Sequence, residues 1–243
     1  MLIDRKDCSF FHCLDLPGGE TIAAPWDFRE TEAEYHGGVS LAGRRVLEIG
    51  AASGCHSFWM ERQGAQVVPY DLSPEFSWDL MPTPTQDRED VEAAMRVGIR
   101  RINAGWHYAA ERLGSKLSLE HGTIYSVPES LGVFDVITFG SVLLHTRDPI
   151  GAVQGLAPRA TEAILIMDRL PPHLDPEKPL MEFQPRIGME KPFGAWTWWW
   201  FTPAVFIRLL TVLGYSEFDV KVSKHLHAAS GKPLDLFTLV ARR

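Results

Sequence analysis

The stretch from Arg44 to Asp71 constrains the fold of this 243-residue chain more than any other. Val46, Leu47 and Ile49, interrupted only by Glu48, make a short apolar run that suits a buried parallel strand. Gly50 and Gly54 then bracket a tight turn containing Ala51, Ala52 and Ser53. Phe58, Trp59 and Arg62 recur at helical spacing, and Gly64 is placed to stop a helix. A second apolar run, Val67 to Tyr70, ends on Asp71, 21 residues beyond Gly50. Strand, glycine turn, helix, strand and acid is the order of a nucleotide-binding βαβ unit.

The physics of such a unit says which residues meet a ligand. Glycines let the backbone approach without a Cβ in the way, and the helix N-terminus offers unpaired N–H groups. An acid at the tip of the next strand accepts the two hydroxyls of a ribose. The spacing here is Gly-x-x-x-Gly rather than Gly-x-Gly-x-x-Gly. That argues against NAD or FAD and for S-adenosylmethionine, which has no diphosphate to cradle. The segment resembles motif I of the class I methyltransferases. The resemblance implies an α/β, Rossmann-like seven-stranded sheet, mostly parallel, with an antiparallel C-terminal hairpin. It also implies S-adenosyl-L-methionine as cofactor, with Glu48, Gly50, Ala51, Ser53 and Gly54 around its methionine part and Asp71 and Leu72 at its ribose.

Later segments extend the resemblance. Leu117 to His121 alternates like a strand, and the residues after it, Gly122, Thr123 and Ile124, would bracket adenine. Many relatives carry an acid there, so backbone groups and Ile124 would hold the ring in this chain. Val133 to Gly140 is the strongest apolar strand, and Val142-Leu143-Leu144-His145 with Asp148-Pro149 resembles motif IV and the segment following it. Gly140 and Ser141 would lie near the transferred methyl. Asp148 fits an N-cap with proline at the first helical position. Tyr215 to Val222 and Leu234 to Ala241 read as the terminal hairpin, joined by a polar loop from Lys224 to Pro233.

The remaining stretches predict a cap and two insertions. Residues 1–43 read as an N-terminal cap and 44–243 as the methyltransferase domain, with insertions at about 74–114 and 170–201. The cap carries Phe10, Phe11, Trp26 and Phe28, and either seals the sheet or lids the ligand. Val91, Met95, Ile99, Ile102, Trp106, Ala109 and Leu113 form one apolar stripe and predict a helix from about Glu89 to Leu113, with Gly98 and Gly105 as candidate bends. The second insertion holds six prolines between Pro171 and Pro192 and the cluster Trp196, Trp198, Trp199 and Trp200. It is expected to wall a substrate pocket or to cover the sheet.

Composition narrows the function classes. A net charge of −7 disfavours a broad polyanion-binding face, and so weighs against nucleic acid. Three cysteines, Cys8, Cys13 and Cys55, lack any metal spacing, so no metal is expected. Reduced thiols, with no apolar leader or membrane span, predict a cytoplasmic protein. His145 is the candidate general base, with holding the helix start as its alternative role. Asp168 is a second catalytic candidate, and Trp26, Glu182 and Trp198 are candidate substrate contacts. The Trp26-Asp27, Gly43–Gly50 and Val142–His145 segments also resemble the tRNA wobble-uridine carboxymethyl-/methoxy-transferase group. The lysine and aromatic residue that this group uses for a carboxylated cofactor are missing, which points to ordinary S-adenosylmethionine. The expected activity is methyl transfer to an oxygen or nitrogen of a small molecule. Modification of a tRNA base and a non-catalytic binding subunit are the alternatives.

Overall fold

The computed structural model describes residues 3–80, 87–184 and 197–243. Trp196 and the prolines at 185 and 192 lie outside the described residues. In chain order the strands are β1 (Leu14–Leu16), β2 (Glu20–Ile22), β3 (Trp26–Asp27), β4 (Arg45–Ile49), β5 (Gln66–Asp71), β6 (Glu120–His121), β7 (Phe134–Gly140), β8 (Ala160–Arg169), β9 (Met181–Phe183), β10 (Trp199–Phe201), β11 (Glu217–His227) and β12 (Lys232–Arg242). The helices are α1 (Glu32–Tyr35), α2 (Cys55–Arg62), α3 (Arg88–Leu113), α4 (Pro149–Leu156) and α5 (Pro203–Val212).

Eight strands form the central sheet, in the order β3-β11-β12-β8-β7-β4-β5-β6. From β8 to β6 every pairing is parallel. The pairings of β12 with β8, β11 with β12 and β3 with β11 are antiparallel. The chain leaves β4 to one side for β5 and β6 and returns to the other for β7 and β8. The strand order therefore reverses beside β4, and ligands of open α/β sheets bind at the carboxyl ends there. One strand exceeds the expected seven. It comes from the N-terminal segment, where Trp26 and Asp27 pair with His227 and Leu226.

Alternation along the strands sorts the core into two layers. Leu47, Ile49, Phe139, Ile164, Ile166 and Phe237 face one way, against α4 and α5. Val46, Val136, Leu165, Met167 and Val240 face the other, against Phe28, Tyr35 and Met60. The long helix runs unbroken through both glycines, capped by the Asp87 carboxylate on the Glu89 N–H and ended by Gly114. Gly105 marks a crossing rather than a bend, since a Cβ there would stand 2.4 Å from the Ser9 carbonyl oxygen. The N-terminal segment is strapped to this helix, with the Ser9 N–H bonding to the Arg101 carbonyl at 2.8 Å.

Two expected boundaries shift. The strand expected over 117–121 is regular only at Glu120–His121. The C-terminal hairpin is longer than its apolar runs, because pairing carries polar Lys224, His225 and Asp235 along the ladder and leaves a loop of four residues. Thr202 precedes α5 but does not cap it. Its hydroxyl instead accepts from the Leu180 N–H at 3.0 Å.

Candidate functional site

The glycine turn adopts the backbone that its sequence demands. Gly50, Ala52 and Gly54 all have positive φ, at 84°, 47° and 90°. A Cβ at Gly54 would stand 2.3 Å from the Phe58 ring and 2.9 Å from Trp106, so packing as well as backbone excludes any other residue. Gly50 and Ala51 donate to the Tyr70 carbonyl at 2.9 and 3.4 Å, which lashes the turn to the end of β5. The Asp71 carboxylate completes the link. One oxygen accepts from the Ala52 N–H at 2.5 Å and the other from the Leu72 N–H at 2.7 Å. Burial raises its pKa, and the two N–H groups oppose that shift. A carboxylate offers about four acceptor sites, so Asp71 keeps lone pairs for a ligand.

The neighbouring candidates fall into place around this turn. Ser53 is fully buried, and its hydroxyl accepts from the Phe11 N–H at 3.3 Å, so the N-terminal segment lies over the turn. Glu48 faces inward. Its carboxylate accepts from the Ser57 hydroxyl, and Trp106 Nε1–H reaches the same hydroxyl at 3.4 Å. Burial pushes Glu48 up to about 8. Gly122 donates to the Asp71 carbonyl at 3.0 Å. Its missing side chain makes room for the Tyr70 hydroxyl, which would stand 1.9 Å from a Cβ and instead donates to the Thr123 carbonyl at 3.3 Å. Ile124 packs against the core cluster below.

At the tip of β7, Ser141 has a φ of 47° and its N–H bonds to the Met167 carbonyl at 2.7 Å. A left-handed non-glycine residue costs of order 1–3 kcal/mol and clusters at ligand sites. The fully buried Tyr35 reaches this tip from the N-terminal segment, its hydroxyl 2.9 Å from where a Gly140 Cβ would be. Burial drives the Tyr35 phenol well above its ordinary range, with the Ser141 hydroxyl opposing, so it stays a proton donor. Asp168, the penultimate residue of β8, is set by alternation on the sheet face opposite to that of Tyr35. Its Oδ1 accepts from the Arg169 N–H at 2.7 Å, and burial pushes the carboxyl up to about 7.

His145 lies in the tight turn Leu143–His145, its ring nearly parallel to Trp78 at 6.5 Å between centroids. The three substrate candidates are placed apart from the turn. Trp26 stacks on Phe28 and meets His227 at the antiparallel edge of the sheet. Glu182 on β9 bonds to His173 at 2.5 Å. Trp198 is 8% exposed and spends its Nε1–H on the Asp79 carbonyl at 2.6 Å.

Residues outside the expected set also shape the site. Asp79 accepts from the Tyr125 hydroxyl and from the Arg147 N–H at 2.7 Å, tying together the loops after β5, β6 and β7. His56, in the first turn of α2, stacks on Tyr35 at 4.4 Å and lies near His12 and His36 at 5.0 and 5.1 Å. Burial lowers His12 and His36 to about 4 and His56 well below its usual value, so the group is neutral. Among the described residues no group of three or more histidine, cysteine or acidic side chains is arranged to hold a metal. No helix among them is long and apolar enough to cross a membrane.

Strand order, reversal point and glycine turn together define the class I methyltransferase fold, and solved structures agree. Burkholderia thailandensis 1,6-didemethyltoxoflavin-N1-methyltransferase, with 1,6-didemethyltoxoflavin and S-adenosylhomocysteine bound, superposes at a TM-score of 0.54 with 16% identity, covering 89% of this chain and 77% of that one. Magnesium protoporphyrin IX methyltransferase from Synechocystis PCC 6803, with S-adenosylhomocysteine bound, gives 0.52 with 14% identity over 87% and 80%. Among curated sequences, the ubiquinone biosynthesis O-methyltransferase of Xanthomonas campestris pv. campestris is 28% identical over 137 residues, 55% of this chain and 47% of its own length. The chain thus spans about half the length of the curated relatives it matches. No protein-family profile matches it.

Proposed function

We propose that this chain is an S-adenosylmethionine-dependent methyltransferase acting on an oxygen or nitrogen of a small molecule. The observation that carries the reading is the link between the left-handed turn at Gly50, Ala52 and Gly54 and the Asp71 carboxylate, which keeps acceptor capacity at a strand tip. S-adenosylmethionine supplies a methyl group on a sulfonium that is its own leaving group. The protein's work is then alignment and exclusion of water. In this reading Gly50, Ala51, Ser53 and Gly54 border the methionine part, with Glu48 bracing the turn from inside. Asp71 and Leu72 hold the ribose, Gly122, Thr123 and Ile124 flank adenine, and Gly140 and Ser141 face the methyl.

A base is needed only where the accepting atom carries a proton. Asp168, pushed up to about 7, is poised to take one near neutral pH. His145 serves to seat the turn that follows β7, with Glu182 and Trp198 bracing the outer wall. Trp26 belongs to the cap formed by residues 1–43, while 44–243 form the methyltransferase domain with insertions at about 74–114 and 170–201. The three buried free cysteines suit the reducing cytoplasm. Modification of a tRNA base is the second reading, favoured by the likeness of Gly43–Gly50 and Val142–His145 to the wobble-uridine group.

Calorimetry with S-adenosylmethionine, followed by a labelled-methyl assay, tests these readings. Binding with label on a small acceptor is the expected result. Label on total tRNA installs the second reading, binding without transfer to any acceptor leaves a non-catalytic subunit, and no binding ends all three.

A further inference from the structure

Eight buried side-chain polar atoms have no hydrogen-bond partner among the described residues, and two of them are Asp168 Oδ2 and Trp199 Nε1. Asp168 is only 4% exposed. Alternation along β8 sets it on the face of Ile164 and Ile166, whose core cluster is the one Trp199 packs against. The next residues on each strand, Arg169 and Trp200, turn to the other side and meet there, guanidinium over ring at 5.5 Å. Trp198, the other neighbour of Trp199, is already bonded to Asp79. The β8 tip adjoins the tip of β7, because Ser141 bonds to Met167, the residue before Asp168.

An orphaned buried polar group costs about 1–3 kcal/mol, and native chains hold few. Here the two orphans are opposite in kind. An ionised carboxylate oxygen only accepts, and an indole N–H only donates. A hydroxyl is the smallest group that serves both, since its O–H donates to Asp168 while a lone pair accepts from Trp199. An ammonium has no lone pair for Trp199, and a carboxylate brings a like charge against Asp168. The surrounding wall is aromatic, with Phe183 5.4 Å from the Trp199 ring.

We propose that Asp168 and Trp199 form the acceptor-recognition pair of this site, and that the acceptor presents a neutral hydroxyl on a flat, apolar ring. The proposal rests on the methyltransferase reading and names its substrate class.

The test uses the full chain saturated with S-adenosylhomocysteine and titrated with phenol, benzylamine (an ammonium at neutral pH) and benzoate, binding being read by ligand-observed NMR. Phenol is expected to bind about tenfold more tightly than either analogue, as suits one or two extra hydrogen bonds. Asp168→Ala and Trp199→Phe should each erase most of that preference while changing S-adenosylhomocysteine affinity by less than about threefold. Nucleoside binding without a preference for phenol, or a preference that survives both substitutions, overturns the pair alone. Failure to bind the nucleoside overturns the methyltransferase reading and the pair with it.

Discussion

Asp71 ends β5 and Asp168 is the penultimate residue of β8 in the same sheet, and burial raises the pKa of both, yet their oxygens are spent differently. Asp71 has a backbone N–H on each oxygen, both supplied by the turn and strand it connects. Asp168 has one, from the residue that follows it. The first carboxylate is therefore held in place by the chain before any ligand arrives, while the second is completed from outside. The contrast separates a carboxylate satisfied by the backbone on both oxygens from one that keeps an oxygen without a protein partner.

Three substitutions break or sharpen that contrast. Asp71→Ala has the largest expected effect, a loss of S-adenosylmethionine affinity of roughly tenfold to a thousandfold by calorimetry. Asp168→Ala should leave that affinity almost untouched, and equal losses in the two variants would erase the distinction. Gly122→Ala comes next. Its methyl collides with the Tyr70 hydroxyl, so a stability loss of about 1–3 kcal/mol in urea is expected, most of it recovered by adding Tyr70→Phe. No recovery would mean that the clash is not the cause.

A further effect is on the pH dependence of stability. Asp168 is raised from 3.8 to about 7, so the folded state keeps its proton where the unfolded state has lost it. That contribution is full below about pH 4 and disappears as pH rises through 7. Wild type measured against Asp168→Asn should therefore lose relative stability between pH 4 and pH 8, by up to a few kcal/mol. His12 and His36, lowered to about 4, work oppositely in both proteins, costing stability as pH falls from 6.5 towards 4. A difference that does not vary with pH would place Asp168 in water rather than in the sheet.

The glycine turn and its link to Asp71 were legible in the sequence because their determinants are local. Gly50, Gly54 and Asp71 lie within one βαβ unit, and each is required by a backbone angle or a contact inside it. The surroundings of the β7 and β8 tips were not. Tyr35 sits in a stretch without periodicity and enters the site only because its carbonyl is held by Thr238 on the last strand. Which of three adjacent tryptophans keeps an unspent N–H is decided by where β10 lies against Leu144 and Asp79. Trp198, expected at the substrate, is committed to Asp79, and its neighbour Trp199 is the one left open. The eighth strand was equally hidden, since two residues, Trp26 and Asp27, carry no pattern of their own.

That short strand has a consequence for how the molecule is made. Trp26 and Asp27 pair with the last hairpin, Thr31 is hydrogen-bonded with His225 across 194 positions, and Thr238 reaches Tyr35 across 203. Contacts so distant along the chain close slowly. During synthesis the pairing of Trp26 and Asp27 must wait until the β11–β12 hairpin has emerged. Loss of that hairpin is therefore felt some two hundred positions away, at Trp26, Thr31 and Tyr35.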